Sequence, residues 1–108
     1  EVYRGAFAIA VCPSENLESP TIVGAQAANE LLNIIGIKAS FVLTEYNSKI
    51  YISSRSIDEI NVQLIMEKLG GGGHLNVAGA QLTDCSILQA KHMIQDTIDE
   101  MLKDGDIA

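Results

Sequence analysis

The chain has 108 residues, 47% of them hydrophobic, enough for one core and too apolar for a disordered segment. Seven basic residues stand against fourteen acidic ones, a formal net charge of −7. This argues against extended DNA or RNA as the partner of this domain, because phosphate neutralisation supplies most of that affinity, yet it leaves room for a small nucleotide held in one local positive pocket.

No apolar stretch approaches the roughly 18–20 residues of a membrane span, and there is no signal-peptide pattern. A start at Glu1 rather than Met suggests a segment of a longer protein. Residues 3–12, YRGAFAIAVC, alternate small and large apolar residues and read as a strand buried on both faces. A polar loop, 13–20, follows, with Ser19 and Pro20 placed to cap and start a helix over 21–35 that ends at Gly36. Its small residues Gly24, Ala25, Ala27 and Ala28 would let it sit close on a sheet. Two strands, 37–46 and 49–56, are joined by Asn47-Ser48 as a hairpin.

Asn61 can cap a short helix over 62–69. Four glycines follow, Gly70 to Gly73, and then His74. Residues 76–82 read as a short strand or a tight irregular segment. Thr83 or Asp84 caps a last helix to about Lys103, with Ile87, Ala90, Ile94, Ile98 and Met101 on one face and Gly105 after its end. The expected fold is a single α/β (α+β) domain, a mixed sheet of about four to five strands with three helices packed on it. Cys12 and Cys85 read as buried thiols of a reducing compartment, and no Cys/His spacing suits zinc.

The glycine run is the main clue to chemistry. One glycine suffices to cap a helix, and a hinge should lead into linker composition, whereas HLNVAGAQL returns at once to packed-looking sequence. Bare glycines can expose successive backbone N–H groups to an anion. The alternative is a structural loop. His74, at the edge of the run, can donate to a phosphate or face a base. His92, in the middle of the last helix, reads as helix surface. Arg55 in SSRS can aim a guanidinium at a phosphate, or pair with Asp58 or Glu59. One short helix of about 12 Å separates the two candidates, so they can converge on one pocket. No pair of carboxylates stands out for acid–base work.

SSRS (53–56), INVQLIMEKLGGGGH (60–74) and NVAGAQL (76–82) together resemble the DHH-associated domain, the C-terminal half of the DHH phosphodiesterases, which include RecJ-like exonucleases and oligoribonuclease-type enzymes. The likeness covers nearly the whole chain and is closer still to the membrane-anchored cyclic-di-AMP phosphodiesterases of Gram-positive bacteria. Alanyl-tRNA synthetases carry a related glycine-rich domain in which no histidine directly follows the glycines.

The resemblance implies that Gly71, Gly72, Gly73 and His74 contact substrate phosphate or sugar, and that Arg55 reaches a phosphate with Ser56 in support. It implies a cyclic dinucleotide or short linear dinucleotide as ligand, and a DHH domain of the same chain as partner. Manganese and the hydrolytic step would belong to that domain, so the Asp-His-His-free segment should be inactive alone. It also implies a cytoplasmic domain on a membrane-anchored parent. The alternatives are the substrate domain of a RecJ-like or oligoribonuclease-like exonuclease, and a non-catalytic module that forms a homodimer through an apolar face.

Overall fold

The structure, a computed structural model, describes residues 1–12, 20–58 and 60–105. Its elements in chain order are β1 (Val2–Tyr3), β2 (Phe7–Cys12), α1 (Pro20–Leu31), β3 (Ala39–Tyr46), β4 (Lys49–Ser56), α2 (Val62–Lys68), β5 (Gly72–Gly73), β6 (Val77–Thr83) and α3 (Ile87–Asp104). The strands form one mixed sheet in the order β1-β2-β3-β4-β6-β5. The fold is thus of the expected class, with three helices, but the sheet has six strands rather than four to five. Both additional strands are two-residue edge strands, β1 and β5, too short to show a period.

Only β2 and β3 run parallel, and α1 is the crossover that a parallel connection needs. Residues 3–12 are not one strand, because Arg4 and Gly5 take positive φ (53° and 74°) and turn the chain so that β1 folds back on β2. The hairpin between β3 and β4 forms as expected, with Asn47 and Ser48 both at positive φ, the two-residue geometry that matches strand twist.

The sheet lies between two helical layers. Phe7, Ile9, Phe41, Leu43, Ile50 and Ile52 face α2 and α3 and form the main core with Ile65, Met66, Ile94, Ile98 and Met101. The opposite face carries α1. A Cβ added at Gly24 would stand 3.0 Å from Ser53 Oγ and 3.3 Å from Thr44 Oγ1, so its absence lets the helix lie on β3 and β4. Ser40 Oγ donates to the Ala28 carbonyl (2.7 Å) and ties the same helix down.

Helix α1 stops at Leu31, short of the expected 35, because Leu32, Asn33 and Ile34 each donate three residues back and tighten the end. Ser19, the expected cap, lies outside the described residues. Asn61 caps α2 as expected, accepting from Leu64 N (3.2 Å). The cap of α3 is Ser86 rather than Thr83 or Asp84. Ser86 Oγ accepts from Gln89 N while Gln89 Oε1 accepts from Ser86 N, a reciprocal capping box. Thr83 instead ends β6 and Asp84 turns at φ 57°. Gly105 ends α3 in the left-handed conformation. Cys12 and Cys85 are only partly buried rather than the buried thiols expected.

Candidate functional site

The strand alternation of β4 builds the site. Ile50, Ile52, Ser54 and Ser56 point into the α2/α3 core, so Tyr51, Ser53 and Arg55 point the other way. Opposite them on β6 stand Gln81, Gly79 and Val77 in direct register. Helix α1 covers this face only in part. An open cleft of about 640 Å³ remains, floored by these two strands and lined also by Ala25 of α1 and by Gly70, Gly71, Gly73 and His74.

Arg55, Gly71, Gly73 and His74 therefore meet at one cleft. Arg55 is half-buried, and its Nη1 donates to the Ser54 carbonyl (2.8 Å). Among the described residues no carboxylate pairs with it, and Asp58 does not; Glu59 lies outside them. Burial lowers the Arg55 pKa from its ordinary value, a direction that marks a guanidinium held away from water without a compensating anion. It stays charged at neutral pH. His74 is exposed, and among the described residues its ring has no hydrogen-bond partner.

Within the glycine run, several of the amides expected to form a cradle are already hydrogen-bonded by the fold. Gly70 N donates to Glu67 O (3.1 Å) and Gly71 N to Met66 O (2.8 Å), the Schellman pair that closes α2, with Gly70 at φ 87°. Gly72 and Gly73 then pair with Gly79 and Ala78 as β5. His74 N donates to Val77 O (2.7 Å) and closes the turn into β6. The amides of Gly70, Gly71 and His74 are thus already engaged by the fold.

The missing side chains serve close approach to the chain's own backbone. A Cβ at Gly71 would stand 2.7 Å from Ala80 Cα, and one at Gly73 2.5 Å from Ala78 Cα. Gly72 meets nothing within 4 Å and does not line the cleft.

Ser56 is also absent from the cleft, because alternation turns it to the core side. Its hydroxyl donates to the Ile60 carbonyl (2.6 Å) and lies 3.3 Å from the Leu75 carbonyl, and it accepts from Asn76 Nδ2 (2.8 Å). It fastens the Leu75–Asn76 turn that follows His74. Tyr51, Ser53 and Gln81 were not among the expected site residues. The period of two running back from Arg55 points to Tyr51 and Ser53; Gln81 carries no local signal, since only its pairing with Tyr51 brings it there. No group of three or more His, Cys, Asp or Glu side chains among the described residues could hold a metal ion. No helix among them is long and apolar enough to cross a membrane.

A three-layer mixed α/β domain with an arginine and a histidine at one sheet-floored cleft is the class that this geometry defines. Residues 6–104 match the DHHA1 domain, and the chain belongs to that family. It is 46% identical over 104 residues to the cyclic-di-AMP phosphodiesterase PdeA of Listeria monocytogenes serotype 1/2a (strain 10403S), covering 95% of this chain and 16% of that protein. To the cyclic-di-AMP phosphodiesterase GdpP of Bacillus subtilis (strain 168) it is 39% identical over 106 residues, 96% of this chain and 16% of that one. The chain thus spans about a sixth of the length of these curated relatives. An exopolyphosphatase-related protein from Bacteroides fragilis shares the fold, with a TM-score of 0.81 at 21% identity over 94% of this chain and 31% of its own.

Proposed function

We propose that this chain is the substrate-binding domain of a DHH-type phosphodiesterase that hydrolyses cyclic-di-AMP to linear pApA. The observation that carries the reading is Arg55: a half-buried guanidinium with no acidic partner among the described residues, opening onto the same cleft as His74. Arginine offers a planar fork of donors that suits phosphate, and a site that lowers its pKa by desolvation regains that cost when an anion arrives. His74 adds a second donor at the same end. Arg55 and His74 bind and orient the phosphate.

The catalytic step is assigned to a DHH domain of the same polypeptide. Manganese bound there would activate water and stabilise the leaving oxygen. This domain by itself would bind without hydrolysing. The parent would be membrane-anchored with this domain on the cytoplasmic side. The net charge of −7 favours a dinucleotide over a long polymer as ligand.

The test is His74→Ala and Arg55→Ala in the full-length protein. Each should lower kcat/KM for cyclic-di-AMP by about tenfold or more, the effect of losing a charge-assisted hydrogen bond. Turnover within about twofold of the parent for both variants would end this reading.

A further inference from the structure

The phosphate reading uses only one end of the cleft. At the other end Tyr51 and Gln81 are direct cross-strand partners on the same face of the sheet, and both line the cleft. Between the two ends lie Ser53 and Gly79, also paired, where the glycine leaves the floor bare. Tyr51 precedes Arg55 by four residues, so it stands about 13 Å from it along the strand. Helix α1 covers Ser53 at Gly24, so a nucleotide whose phosphate sits at Arg55 would lay its sugar over Gly79 and bring its base to Tyr51.

The far end suits a base and not a second phosphate. Neither Tyr51 nor Gln81 is charged, and Lys49, the next residue of β4 on that face, lies outside the cleft. Tyr51 is partly exposed and Gln81 exposed. Among the described residues neither the Tyr51 hydroxyl nor the Gln81 carboxamide makes a hydrogen bond. A tyrosine on a strand is ordinary as a sheet former. An unengaged ring directly opposite an unengaged carboxamide, both on the floor of a cleft, is a stacking surface beside an edge reader.

We infer that Tyr51 and Gln81 form a nucleobase subsite that selects adenine over guanine. The Tyr51 ring stacks on the base, and the Gln81 carboxamide accepts from the adenine N6 amino group while donating to N7. Guanine presents acceptors at both O6 and N7, so the Gln81 carbonyl oxygen would face a second acceptor there. This inference rests on the dinucleotide reading of the cleft.

The test measures hydrolysis of cyclic-di-AMP and cyclic-di-GMP by the full-length protein. The parent should prefer cyclic-di-AMP. Tyr51→Ala should raise KM for it by about tenfold, while Tyr51→Phe, which keeps the ring, stays within about twofold. Gln81→Ala should compress the preference for cyclic-di-AMP over cyclic-di-GMP by about fivefold or more, a readout that a purely structural role would not move. A preference unchanged in Gln81→Ala, with Arg55→Ala impaired, overturns the base subsite and leaves the dinucleotide reading standing. Arg55→Ala and His74→Ala both unimpaired would remove the dinucleotide reading and the base subsite together.

Discussion

On β4, Ile50, Ile52, Ser54 and Ser56 face α2 and α3 and are at most 5% exposed, whereas Tyr51, Ser53 and Arg55 on the opposite face are only partly covered. One strand thus divides its work by parity. Ser56 and Arg55 are chain neighbours, yet the hydroxyl has three backbone or side-chain partners while the guanidinium donates to the Ser54 carbonyl and opens onto the cleft. The same division runs through the glycines. Gly71 and Gly73 are required by the backbone of β6, while Gly72 has open space around its Cα. Residues that share a motif therefore need not share a task.

Four substitutions sharpen this contrast. The largest effect belongs to Gly71→Ala, whose new methyl would overlap Gly79 O and Ala80 Cα. Backbone cannot rotate away as a side chain can, so β5 or the end of α2 must shift, at a cost on the order of 3 kcal/mol. Urea denaturation measures it, and a loss below about 0.5 kcal/mol would mean that β6 yields freely.

Ser56→Ala comes next. It removes an acceptor for Asn76 Nδ2 and a donor to the Ile60 carbonyl in a buried place, worth about 1–3 kcal/mol. Because Ser56 fastens the turn after His74, weaker dinucleotide binding should accompany the lost stability, whereas Arg55→Ala should weaken binding with stability kept within about 0.5 kcal/mol. Parallel denaturation and ligand titration of the two variants separate a residue that positions from one that binds.

The smallest effect is Gly72→Ala. With no left-handed φ and no neighbour within 4 Å, it should leave stability unchanged or raise it by up to about 1 kcal/mol. A loss of ligand binding in this stable variant would show that the space at Gly72 is reserved for something outside the fold.

The sequence carried the long elements well. The Asn47-Ser48 turn between two strand-like runs marked β3 and β4, the 3.6-residue period marked α3, and Asn61 and Gly105 marked helix ends, because each signal is written within a few residues of the element it governs. The residues of SSRS and the glycine–histidine run identified the family for the same reason. The short edge strands β1 and β5 were hidden, since two residues have no period, and Ser86 was passed over although its partner Gln89 stands three residues on.

The purpose of the glycines lay further out of reach. A run of four reads equally as an anion cradle or as a tight loop until the position of β6 is known, and that strand comes into place only through its pairing with β4. The cleft is decided in the same way. Arg55 is local information, but its alignment with His74, and the pairing of Tyr51 with Gln81 thirty residues later, arise from strand register, a cooperative property of the packed sheet. Local sequence determined which elements form; the register between them decided which side chains face one another across the site.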